Sequence, residues 1–166
     1  MPASSVVLLI ALFTTSTMTR VAPVQMDPAT AGLPGADTMH ARGTFDVQLT
    51  PQDSDAADGS TLGRLSMVKQ FEGDLAGSSQ GEMLTATTAL DGSAGYVAIE
   101  RVTAVLNGRR GTFVLQHSGT MSRGEQQLSI SIVPDSGTGD LEGIGGIMTI
   151  QIANGIHSYE LAYTLP

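Results

Sequence analysis

The stretch Gly95-Tyr96-Val97-Ala98-Ile99-Glu100-Arg101-Val102-Thr103-Ala104-Val105-Leu106-Asn107-Gly108-Arg109-Arg110-Gly111-Thr112-Phe113-Val114-Leu115-Gln116-His117 carries the reading of the fold. Two runs rich in β-branched and aromatic residues flank Asn107-Gly108. Asn-Gly suits a tight hairpin because both central residues of a type I′ turn need positive φ. A two-residue loop pairs Leu106 with Arg109, and that register assigns faces. Tyr96, Ala98, Glu100 and Val102 then share a face with Phe113, Leu115 and His117. Glu100 and His117 become direct or diagonal neighbours, within side-chain reach.

The same pattern repeats outward. Asp91-Gly92 and Asn154-Gly155 also separate strand-like runs. At Asp91-Gly92 the register places Met83 and Thr85 on the inner face and sets Glu82 opposite Arg101 on the outer one. At Asn154-Gly155 it groups Met148, Ile150 and Ile152 with His157, Tyr159, Leu161 and Tyr163. A weak repeat, Leu-x-Gly followed by a further Gly, recurs at Leu75, Leu106 and Leu141 and reads as strands ending and beginning. Only two of the 20 glycines precede residue 39, and after it no helix-period segment occurs.

Eight strands are expected, at about 42–50, 65–76, 80–89, 95–106, 111–121, 127–133, 146–153 and 156–165. Short consecutive connections make a meander. Eight such strands close most simply into an all-β, antiparallel up-and-down barrel, which removes exposed edges. An open sandwich is the rival arrangement. The barrel domain is assigned to 39–166.

Residues 1–38 read as a flexible N-terminal leader or tail, with four of the seven prolines and only three charged residues. The apolar run Val6–Phe13 is eight residues, far short of the ~20 that span a bilayer. No basic residue precedes it, so a cytoplasmic location is expected. A secreted or periplasmic location follows if residues 1–25 act as a signal peptide.

Composition excludes several functions. With 16 acidic and 8 basic residues the net charge is −8, which gives no electrostatic footprint for nucleic acid or anionic lipid. The absence of cysteine removes disulfides, thiolate nucleophiles and Cys-type metal sites. His40, His117 and His157 lack ligand spacing, so no metal site is expected, and no cofactor is implied.

Three motifs take bland readings. Gly77-Ser78-Ser79-Gln80-Gly81 matches a nucleophile elbow, but a strand-like run follows where a helix is required, so a Ser-rich hairpin turn is expected. Asp53-Ser54-Asp55-Ala56-Ala57-Asp58-Gly59 lacks the spacing and terminal Glu of a calcium loop and reads as a solvated acidic loop. The glycines from 137 to 146 lack the Lys and helix start of a phosphate cradle and read as turn punctuation.

Glu100, His117 and Tyr96 form the constellation with chemical potential. A carboxylate beside an imidazole in an apolar lumen is a candidate general acid/base pair, since burial and pairing move both pKa values. A buried ion pair that fixes register is the alternative. Met83, Phe113, Leu115, Tyr159 and Tyr163 are the candidate ligand-binding residues of a hydrophobic small-molecule pocket. The outer face carries Val97, Ile99 and Val114, and so predicts a homo-oligomer, dimer or trimer.

Several segments resemble a bacterial family of uncharacterised domains: Lys69-Gln70-Phe71-Glu72-Gly73-Asp74-Leu75, Gly92-Ser93-Ala94-Gly95-Tyr96-Val97-Ala98, Phe113-Val114-Leu115-Gln116-His117 and Val133-Pro134-Asp135-Ser136-Gly137-Thr138-Gly139. The resemblance covers roughly 41–165. That family is similar in fold to plant allene oxide cyclases and dirigent proteins, eight-stranded barrels often found as trimers. The resemblance implies an allene-oxide-cyclase-like barrel and a pocket that steers a reactive intermediate by its shape. It would also turn Asp46 and Gln48 inward, whereas simple alternation turns Phe45, Val47 and Leu49 inward and Asp46 to solvent, the reading favoured here. Three functions follow: a cofactor-free cyclase or isomerase, a carrier of an apolar molecule, or a structural oligomer with a filled lumen.

Overall fold

The computed structural model describes residues 37–166, so the expectations for 1–36 lie outside the described residues. Eight strands follow one another in chain order: β1 Met39–Ala57, β2 Ser60–Gly73, β3 Leu75–Thr88, β4 Ala94–Leu106, β5 Arg109–Ser122, β6 Glu125–Ile132, β7 Gly145–Ala153 and β8 Ile156–Thr164. Each is antiparallel to its neighbours, and β1 pairs with β8 to close the barrel. This is the expected up-and-down barrel.

Turn chemistry sets the register as anticipated at two hairpins. Leu106 pairs with Arg109 and Ala153 with Ile156, with Asn107 and Asn154 at positive φ. Consequently Ala98 faces His117 directly, and Glu100 sits diagonally from it. Phe45 is buried and Asp46 exposed, as simple alternation requires.

Three local readings are corrected. β2 ends at Gly73, whose φ of 103° makes the turn, and β3 begins at Leu75. Gly77–Gly81 therefore lies inside a strand and is no hairpin turn. Its glycines permit close approach: a Cβ on Gly81 would stand 2.2 Å from the Ile99 carbonyl oxygen and 2.7 Å from the Glu100 Cβ. The acidic stretch 53–57 is the exposed end of β1, shifted by a bulge between Pro51 and Asp53 and turned at Asp58-Gly59. The β3–β4 register is two residues from the one expected, so Glu82 faces Ile99 rather than Arg101. The carboxylate of Glu82 instead lies 3.8 Å from Arg64.

The barrel has a packed end and an open end. At the packed end Phe71, Leu75, Leu106, Phe113, Leu115 and Tyr163 are fully buried. The glycine-rich connection from β6 to β7 contains a single 3₁₀ turn, Gly139–Leu141, which packs against β5. It places Leu141 and Ile144 in the same core, so this segment does more than punctuate. Burying side chains of this size is what stabilises such a barrel, at about 1.5–3 kcal/mol each.

β6 and β7 are the weak seam. Only Ser131 and Ile147 pair between them, although both strands continue toward the open end. On the outer face, Val97 and Ile99 are about half exposed, at 52% and 51%. Leu84, opposite Val97 on β3, is exposed as well.

Candidate functional site

Inward positions on β2, β3, β4 and β5 bring Lys69, Ser79, Glu100 and His117 together at mid-height of the barrel. All four side chains are buried, and Glu100 is 0% exposed. Glu100 Oε1 accepts from Lys69 Nζ at 2.7 Å and from His117 Nε2 at 2.7 Å. The Ser79 hydroxyl donates to Oε2. Both carboxylate oxygens are therefore hydrogen-bonded, which is what a buried charge requires.

The electrostatics follow from these contacts. Burial pushes Glu100 up, but the His117 hydrogen bond and the Lys69 charge outweigh it and hold the carboxyl at about 2. Burial lowers the pKa of His117 and the Lys69 charge lowers it further, against the pull of Glu100. The cluster is thus an ammonium–carboxylate pair with a neutral imidazole donating through Nε2–H. That tautomer leaves the ring's lone pair on Nδ1.

Above this layer lies a cavity of about 300 Å³, at the lower end of ligand-pocket volumes. Its apolar wall includes Phe45, Val47, Met67, Met83, Ile150 and Ile152. Lys69, His117, Tyr96 and His157 are the polar residues that line it beside the glutamines. Gln126 and Leu128 of β6 and Gln151 of β7 also line it, so the cavity reaches the seam between those strands. Glu100 is not part of the wall, because Lys69 and His117 stand in front of it.

Tyr96 flanks the cavity from β4. Its ring lies over Gly119, where a Cβ would come within 2.2 Å of the Tyr96 Cε1. Glycine opposite an aromatic residue is what lets the ring cover the strand. Burial and the Glu100 charge push the Tyr96 hydroxyl up to about 12, so it remains a donor.

The structure brings Tyr96, His117 and Met83 to the cavity and sets Glu100 behind it. Phe113, Leu115, Tyr159 and Tyr163 lie instead in the packed end. The Tyr159 hydroxyl accepts from the Leu75 backbone N–H at 2.9 Å and donates to the Glu72 carbonyl at 3.2 Å. The Tyr163 hydroxyl accepts from Asn107 Nδ2 at 3.0 Å. Both tyrosines fasten turns, which leaves their hydroxyls engaged.

Lys69 and Ser79 are the residues that sequence reasoning missed. Lys69 stands in register with Leu65, Met67 and Phe71, and a lone charge on an otherwise apolar face was the available signal. Ser79 was hidden by the turn expected at its position.

The family model described as a protein of unknown function, DUF3224, matches residues 41–163. A crystal structure of a protein of unknown function from that family, from Shewanella oneidensis MR-1, is similar throughout the barrel. It is 49% identical, covers 78% of this chain and 99% of its own, and superposes with a TM-score of 0.75. A search of the curated proteins finds no match. The chain belongs to the DUF3224 family of proteins of unknown function.

Proposed function

We propose that the barrel binds a small, largely apolar molecule bearing one polar group, in the cavity above Lys69 and His117. The observation that supports this reading is the asymmetry of the lumen. One end is packed solid, while the other keeps an open, mostly apolar cavity floored by a buried polar cluster. A structural barrel with a filled lumen would lack such a space.

The neutral dye N-phenyl-1-naphthylamine tests the reading. Its fluorescence rises saturably with the wild type and is lost with Ile150→Trp, which fills the cavity. Equal signal from both proteins contradicts the proposal.

A cofactor-free isomerase or cyclase is the second reading, favoured by the neutral His117 imidazole beside the Tyr96 hydroxyl at the cavity wall. His117 would accept a proton at Nδ1, Tyr96 would hold a substrate oxygen, and Lys69 and Glu100 would fix the imidazole's position. Native mass spectrometry followed by denaturing extraction supplies a candidate compound. Turnover lost in His117→Gln with binding kept supports catalysis, whereas unaltered exchange by both proteins supports a carrier.

The exposed Leu84, Val97 and Ile99 favour a homo-oligomer joined through β3 and β4. Sedimentation of Val97→Glu as a smaller species than the wild type tests this, and identical sedimentation contradicts it.

A further inference from the structure

Among the described residues, the only full charge on the cavity wall is the Lys69 ammonium, beside the neutral Tyr96, His117 and His157 and the amides of Gln126 and Gln151. Glu100, the buried carboxylate, has both oxygens occupied by Lys69, His117 and Ser79 and does not reach the wall. Lys69 and Tyr96 bring donors to the wall, while His117 presents its Nδ1 lone pair. Lys69 carries three N–H bonds, more than its contact with Glu100 uses. Tyr96 contributes a protonated hydroxyl.

His157 adds an atom that the fold leaves unmatched. Its Nε2 is buried and has no hydrogen-bond partner among the described residues, although the side chain lines the cavity. A buried polar atom without a partner costs about 1–3 kcal/mol, a penalty that a ligand oxygen would remove with the ring in its Nε2–H tautomer. The Phe45 ring joins the two positions: Lys69 Nζ lies 5.1 Å from its centroid, and the His157 ring centroid lies 5.1 Å from it. The charged groups felt by His157 are Lys69 from β2 and Asp46 from the outer face of β1.

We propose that the molecule received here is an amphiphile with a single carboxylate, held among the Lys69 ammonium, the Tyr96 hydroxyl and the His157 imidazole. Its hydrocarbon part lies along Met67, Met83, Ile150 and Ile152 and points toward the seam between β6 and β7. A cationic head would meet Lys69 and be repelled. A neutral alcohol would satisfy His157 and leave the remaining Lys69 donors without a charged acceptor. This assignment rests on the small-molecule reading above and specifies its ligand class.

Isothermal titration of the full chain with decanoate, 1-decanol and decylamine at neutral pH tests it. Decanoate binds at least about tenfold more tightly than the alcohol, the difference expected of a charge-assisted hydrogen bond. His157→Phe weakens decanoate by about tenfold and changes 1-decanol by less than about threefold. Lys69→Met does the same if it folds, and His157→Phe decides the matter if it does not, since His157 lies outside the Glu100 cluster. Equal affinity for decanoate and 1-decanol, or preference for decylamine, overturns the carboxylate assignment. If none of the three binds while N-phenyl-1-naphthylamine does, the carboxylate assignment is overturned and the apolar pocket survives. Failure of the dye as well overturns the pocket itself.

Discussion

Lys69 Nζ lies 2.7 Å from Glu100 Oε1, and these two residues join β2 to β4 across the intervening β3. β3 lets the contact form by presenting Ser79 and Gly81 inward, a short donor and a missing side chain. The pair closes the floor of the cavity and supplies its cation.

Removing one partner exposes the energetics of this pair. Lys69→Met leaves Glu100 buried without its countercharge and destabilises the fold by about 3–5 kcal/mol. Adding Glu100→Gln recovers most of that loss, because the remaining amide still has Ser79 and His117 as partners. Urea unfolding of the wild type, the single and the double variants measures this. A double variant no more stable than Lys69→Met would contradict it.

Acid should weaken the barrel in two stages. Burial and Lys69 lower the folded pKa of His117 from 6.5, so below that pH the unfolded chain gains a proton that the folded one resists. Stability therefore begins to fall near pH 6.5. Glu100 titrates at about 2 when folded against 4.5 unfolded. Its contribution is whole above about pH 4.5 and is lost as pH falls toward 2. Urea midpoints measured against pH check both windows, and Glu100→Gln flattens the lower one. A wild-type curve level across both contradicts the assignment.

Two glycines should respond differently to alanine. At Gly81 a Cβ would stand 2.2 Å from backbone oxygen, so β3 and β4 must move apart, at about 3 kcal/mol. At Gly59 there is open space and only a φ of 86° to strain, at about 1 kcal/mol. Thermal melts of both variants separate close approach from turn conformation.

The two ends of the lumen should separate stability from binding. Phe113→Ala in the packed end destabilises by about 3–5 kcal/mol and leaves the dye affinity of the folded fraction unchanged. Leu128→Ala, on an exposed residue at the seam, shifts stability by about 0.5 kcal/mol or less and weakens dye binding. The opposite ordering would mean that the cavity is misassigned.

Much of this was legible from the turns. Asn107-Gly108 and Asn154-Gly155 set strand register, and the first placed Tyr96, Glu100 and His117 on the inside; Met83 was placed there from Asp91-Gly92, where an even shift of two residues keeps the face. Glycine misled where it served contact rather than turning: Gly77 and Gly81 imitate a hairpin yet lie within β3. That error hid Ser79. The shifted partner of Glu82 has another cause: the connection around Asp91-Gly92 runs from 89 to 93 instead of being a two-residue loop. The division of the lumen was not legible, because it depends on the Gly139–Leu141 turn folding over one end. For that reason Phe113, Leu115, Tyr159 and Tyr163 were counted with the pocket although they fill the core.

Methionine methyl groups report most directly on whether the cavity receives a ligand. Met67 and Met83 line it, whereas Met148 lies in the packed core. With methyl-labelled methionine, titration with decanoate shifts the Met67 and Met83 signals saturably and leaves Met148 in place. Unmoved Met67 and Met83 signals, or shifts spread equally to Met148, would contradict a ligand seated above Lys69 and His117.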